Sequence, residues 1–186
     1  MKQDIAFMLD TSSYIGFENF LQELEFVKNN IRYYNINPSC TQISIVTYSD
    51  GAYNKFFLNG YRTQQELINA IGQIKYQPGG SNAGGAINFV SGSSFMASHG
   101  GRVGVPHYGV LVTGSTSGNS QATVSAANTA RQNGMTMFTV GVGSGINRGE
   151  LSGITGGVPK NQFYAQNYNA LSTLSEPLAT RINGGM

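Results

Sequence analysis

Asp10 closes the short apolar run Ile5 to Leu9, and Thr11, Ser12 and Ser13 follow it at once. A carboxylate with several hydroxyls crowded just past a strand end offers hard oxygen donors, the ligand class that magnesium and manganese prefer. Tyr14 then stands where another small hydroxyl would extend that set. Further oxygen-rich loops occur at "GGSNAGGAI" from Gly79 and "VLVTGSTSGN" from Val110. These three loops are the candidate site.

Other chemistries fall short on their own residues. "GVGSGI" from Gly141 follows a strand, as a dinucleotide loop does, but Ile146 occupies the place of the third glycine. "GSNAGG" from Gly80 to Gly85 has phosphate-loop glycines, yet Ala86 replaces the lysine that neutralises the phosphate. There is no G-x-S-x-G nucleophile elbow. His99 and His107 sit in a glycine-rich tract that reads as surface loop, and the carboxylates are scattered. No enzyme is expected.

The elements that position the loops are legible from periodicity. Ile5–Leu9, Gln42–Tyr48, Tyr108–Thr113 and Met135–Val142 read as strands, the apolar ones covered on both faces. Ala52 to Leu58 reads as a hairpin partner after the turn Ser49-Asp50-Gly51, and Phe163 to Ala165 as a small edge strand. Phe20, Leu21, Leu24, Val27 and Ile31 have the spacing of a helical face. Thr63 and Glu66 form a capping box that opens a second helix. Further helices are expected from about Asn82 to Ala97, over Gln121–Asn133 with Gly134 as cap, and over Leu171–Ile182, where Pro177 is a doubtful spot. "SHGGRVGVP" from Ser98 reads as a flexible connection. Strands alternating with helices imply an α/β fold: a doubly wound, mostly parallel central sheet with one antiparallel edge strand and helices on both faces. Ligands bind such sheets outside the carboxyl ends of the strands, where the Asp10 and Gly114 loops fall.

Composition bounds the partner. The 186 residues suit a single domain spanning 1–186, with 40% apolar and only 11% charged residues; soluble domains average about 25% charged. A net charge of +2 without a Lys/Arg cluster argues against nucleic acid. No apolar run approaches the ~20 residues of a membrane span. The opening "MKQDIAFMLD" does not read as a signal peptide. Cys40 is the single cysteine, so no internal disulfide forms, and it is expected to be buried. No N-x-S/T glycosylation signal is present. Of the tyrosines near loops and element ends, Tyr33, Tyr34, Tyr53, Tyr61, Tyr76, Tyr164 and Tyr168, most are expected to pack under loops rather than form a recognition face.

The motifs "DTSSYIG", "GGSNAGGAI" and "VLVTGSTSGN", in that order, together with "IVTYSDGA" and "GMTMFTVGVG", resemble the von Willebrand factor type A family over nearly the whole chain, Asp4 to about Ile182. The resemblance implies a metal-ion-dependent adhesion site for magnesium or manganese, built from D-x-S-x-S, a threonine in G-G-T-N-T-G and an aspartate in T-D-G. Asp10 and Ser12 match its first two ligands and Ser81 keeps the threonine's hydroxyl, whereas Tyr14 and Gly114 stand at lost ligand positions. A missing carboxylate removes roughly 4 kcal/mol of attraction per unit charge pair at ~4 Å and an effective dielectric of ~20, about twice that for a divalent ion, before desolvation offsets it. Expected cofactors are therefore none, or magnesium or manganese held weakly.

The resemblance further implies a secreted extracellular matrix module, non-catalytic, with collagen or another matrix polymer as partner, bound through a metal-independent face. One alternative is a metal-dependent adhesion domain in which Asp50 or another acid replaces the lost aspartate. The other is a self-assembling structural module of a fibre or biomineral. The low-charge, Ser/Asn/Gln/Gly-rich character is similar to that of invertebrate matrix proteins such as those of molluscan byssal threads or shell.

Overall fold

Strand β1 (Gln3–Asp10) alternates its apolar side chains between the two faces of a sheet, and every residue of it is buried. Ile5, Phe7 and Leu9 enter one core with the helices on that face; Ala6 and Met8 enter the other. A strand buried on both sides belongs in the middle. The computed structural model, which describes residues 1–184, places it there: the six strands run in the order β3-β2-β1-β4-β5-β6. β2 (Thr41–Tyr48) and β4 (His107–Thr113) flank β1 in parallel, and β5 (Met135–Val142) and β6 (Gln162–Ala165) continue the parallel side. β3 (Ala52–Phe56) is the antiparallel edge, as the hairpin reading requires.

Helix α1 (Gly16–Ile31) buries Phe20, Leu24, Val27 and Ile31 on the Phe7 face, and leaves Leu21 partly exposed. α2 (Gln64–Ile71) packs on the same face through Leu67 and Ile71 and carries the expected capping box. α3 (Ala83–Phe89), α4 (Ser120–Gln132) and α5 (Arg148–Ile154) cover the Met8 face. α6 (Ser175–Asn183) closes the chain against α1; Pro177 lies in its first turn, where a missing N–H leaves no intrahelical bond unmade.

Some expectations need correction. The helix expected to run to Ala97 is α-helical only to Phe89; Val90–Ser94, with its run of Ser and Gly, continues as a π-helical turn. The tract read as flexible is pinned by Arg102, which donates to Asp4 and to the carbonyls of Gln3, Pro38 and Cys40. Cys40 is half-buried. Of the tyrosines singled out, Tyr34 and Tyr168 are buried and Tyr53, Tyr76 and Tyr164 half-buried; only Tyr33 and Tyr61 are exposed, so packing accounts for most of them.

Candidate functional site

The parallel register puts Asp10 at the carboxyl tip of the central strand, opposite Tyr48 of β2, with Leu9 opposite Val112 of β4. Loops from β1, β4 and the segment before α3 converge there. The β1 loop is fixed first. Thr11 Oγ1 lies within hydrogen-bond reach of the Tyr48 and Gln77 carbonyls, Ser13 N–H donates to Gly79 O, and Tyr76 Oη donates to Ser12 O. Asp10 Oδ1 accepts the Ser12 N–H at 2.8 Å, the tight aspartate turn that such a residue favours.

The other carboxylate oxygen, Oδ2, faces the β4 loop. It lies 2.9 Å from Thr113 Oγ1, 3.2 Å from Gly114 N and 2.7 Å from Ser115 Oγ, all of them donors. Ser115 has a single hydroxyl proton, and its short bond to Asp10 uses it. Ser81 Oγ, 3.0 Å away, and Ser12 Oγ, 3.5 Å away, must then donate to Ser115. Asp10, Ser12 and Ser81 are thus brought together as expected, through Ser115, a residue not singled out beforehand. Its signal was present: a hydroxyl just past the second strongly apolar strand, in the loop already marked at Gly114.

The two departures from the motif have distinct structural consequences. Tyr14 turns outward and is 77% exposed, so it contributes no oxygen to the cluster. At Gly114 a Cβ would collide with Tyr168 Oη and lie 2.9 Å from its Cε2 and 3.0 Å from Ile15 Cγ2. Tyr168 fills the space a side chain would need, and its hydroxyl donates to Glu23 Oε1 at 2.9 Å. Glu23 is wholly buried, and its Oε2 has no partner. Burial, then the charge of Asp10, push its carboxyl well above the usual range, against the bond from Tyr168 that favours the charged form. The same surroundings raise Tyr48 and Tyr168 as well, so both stay protonated.

Asp50 does not join the cluster. It is exposed, and its Oδ1 accepts Gly80 N–H at 2.7 Å, tying the turn after β2 to the loop before α3. Among the described residues, no group of three His, Cys, Asp or Glu side chains is placed to hold a metal. His99 stacks on Phe57 and His107 on Phe95, away from the strand-end loops.

The von Willebrand factor type A domain model matches residues 4–177. The human collagen alpha-5(VI) chain is 37% identical over 183 residues, covering 98% of this chain and 7% of that protein. Mouse matrilin-2 is 32% identical over 180 residues, covering 94% of this chain and 18% of that protein. The chain thus spans under a fifth of these two relatives. Among solved structures, proximal thread matrix protein 1 from the mussel byssus, with a zinc-occupied MIDAS motif, superposes with a TM-score of 0.90 at 23% identity, covering 96% of this chain and 47% of that one. That likeness concerns the fold.

Proposed function

This chain belongs to the von Willebrand factor type A family, as a module of extracellular matrix type, and on that premise we propose that it binds collagen or another matrix polymer without a resident metal. The observation that carries this reading is the fit of the site. Asp10, Ser12 and Ser81 are the residues that would hold magnesium or manganese, with Ser115 beside them. Magnesium asks for near-octahedral oxygens at about 2.0–2.1 Å. Here the one carboxylate in the cluster already takes four donors, and Ser115 is tied between it and the other serines. The place of a second carboxylate is filled by Tyr168. The residues present do not fit a tightly held divalent ion, and Asp50 is committed to the Gly80 loop.

A catalytic role finds no support in the geometry. No histidine stands beside the strand-end hydroxyls, since both are stacked elsewhere, and the carboxylates that Ser115 and Ser117 meet, Asp10 and Glu150, are themselves buried.

The test is binding to immobilised fibrillar collagen with Mg²⁺ in one arm and EDTA in the other. Equal binding in both is expected. Binding lost in EDTA would restore the metal-dependent alternative. Absence of binding in both arms would remove collagen and move the weight to another polymer or to self-assembly, which light scattering across concentration would detect.

A further inference from the structure

Residues from the end of the edge strand β3 and from the end of α2 enclose an open cavity of about 260 Å³. Its apolar lining is Phe56, Ala70, Ile74 and the ring of Tyr61; its polar lining is Gln73 and two ammonium groups, Lys55 and Lys75. Phe56 is buried, and Tyr61 meets it edge-on with ring centroids 5.1 Å apart while staying 37% exposed. That pair makes a firm aromatic wall open to solvent on one side. The volume falls below the ~300 Å³ at which small-molecule sites begin, so it suits a single side chain.

The charges in this cavity are of one sign, and no carboxylate lines it. Nearby acids are engaged elsewhere: Glu66 accepts the N–H groups of Arg62 and Thr63, and Asp50 accepts that of Gly80. Among the described residues the ion pairs are Lys28–Glu25, Arg102–Asp4 and His107–Asp4, so neither Lys55 nor Lys75 has a counter-ion. Several arginines, in contrast, are satisfied within the fold. Arg131 donates to the carbonyls of Gly153 and Ile154, Arg181 to Asn161, and Arg148 lies 4.0 Å over the Tyr164 ring. Lys55 is half-buried, and its Nζ is 5.8 Å from the Tyr53 ring, close to the ~6 Å limit of a cation–π contact. Burial pushes its pKa below the usual lysine value. The ammonium has lost water without gaining an opposite charge, which a carboxylate in the cavity would supply.

We propose that this cavity receives a Glu or Asp side chain of the matrix partner, its carboxylate at Lys55 and Lys75 and its methylenes against Phe56, Ile74 and Tyr61. Two ammonium groups beside an apolar lining suit an acid on an aliphatic stem. A sulfated polysaccharide has no such stem and binds through longer rows of cations, so it fits this place less well. The inference rests on the reading of the chain as a matrix-binding module, and it names a contact that shares no residue with the Asp10 cluster.

The test is a ¹H–¹⁵N chemical-shift titration with acetyl-Gly-Glu-Gly-amide, with the Gln and Lys peptides of the same frame, and with a heparin tetrasaccharide. Glu-peptide shifts confined to the cavity lining are expected, with binding about fivefold tighter than that of the Gln peptide and weakened at high salt. Lys55→Gln keeps the length and removes the charge, and should loosen the Glu peptide about threefold, whereas Lys160→Gln, outside the cavity, should change nothing. In the collagen assay, Lys55→Gln combined with Lys75→Gln should weaken binding by a similar factor. Equal responses to the Glu and Gln peptides would overturn the inference and leave matrix binding standing. Tighter binding of the tetrasaccharide at the same residues would overturn it in favour of a polysaccharide. Full collagen binding by the double variant would overturn it as the matrix contact. Selection of the Glu peptide by a parent protein that binds no collagen would uphold the acid site and remove collagen as its source.

Discussion

Two aspartates stand at opposite ends of β1, both fully buried, and their surroundings differ in kind. Asp4 meets charge. Arg102 donates to it from Nε at 3.0 Å, from Nη2 at 2.6 Å and from its backbone N–H at 3.0 Å, with Gln42 at 3.2 Å and His107 Nε2 at 3.5 Å from its oxygens. Burial alone would raise its pKa, but the hydrogen bonds from His107, Arg102 and Gln42 outweigh that and hold it below the usual range. Asp10 has four close donors and none is charged. A closed, charge-neutral network such as that around Asp4 fixes chain segments to one another. Asp10 is held by hydroxyl and backbone dipoles from the ends of β1 and β4, and among the described residues no cation of the protein pairs with it. One end of the strand is thus tied by an ion pair and the other by neutral donors alone.

The largest expected effect breaks the structural end. Arg102→Ala leaves Asp4 buried without its cation and unties three carbonyls at once. A loss of about 3–5 kcal/mol of stability is expected, read by urea unfolding. A loss below ~1 kcal/mol would mean that Asp4 is satisfied by water instead. At the other end, Ser115→Ala removes the shortest donor to Asp10 and the junction among Ser12, Ser81 and Asp10. It should cost about 1.5–3 kcal/mol, the range for a hydrogen bond to a charged group, without unfolding the domain.

The finest discrimination is a slope with pH. Asp4 has a lowered folded pKa, so its stabilisation is complete above the unfolded value of about 3.9 and is lost as pH falls through the folded one. Glu23, beside Asp10, is raised, so its contribution is complete below about 4.3 and is lost as pH rises toward the folded value. Glu23→Gln should therefore gain on the parent protein as pH climbs from about 4.3, while acid unfolding driven by Asp4 stays as it was. Urea midpoints from about pH 2 to about pH 8 measure both limbs, and parallel curves above about pH 4.3 would show that Glu23 is ionised in the fold.

Much of this was legible in the chain. The run Ile5–Leu9, apolar at consecutive positions, specifies a strand covered on both faces, and that is enough to make it central. The Thr63–Glu66 box marks the start of α2, because its bonds are local. Asp10, Ser12 and Ser81 were legible as a group through the motif order. Ser115, Tyr168 and Glu23 were not. Tyr168 and Glu23 are 145 residues apart, and Ser115 and Asp10 105. No period along the sequence links such pairs; they meet because parallel strands bring remote loops to one edge. Arg102 was hidden for the same reason, since a glycine-rich tract looks loose until its guanidinium finds a buried carboxylate.

The sequence by itself determined the α/β order of elements, the family, the strand-end place of the candidate loops and the absence of the motif's second carboxylate at Gly114. Those properties follow from local periodicity and from residue identity at fixed positions. Only the tertiary structure decided what replaced the missing group: a tyrosine from the last strand-end loop fills the space at Gly114, a third serine closes the bonds around Asp10, and Tyr14 turns out to wall a cavity. Side-chain direction in loops is set by which distant neighbours compete for the same volume and the same protons, and that competition exists only in the folded chain.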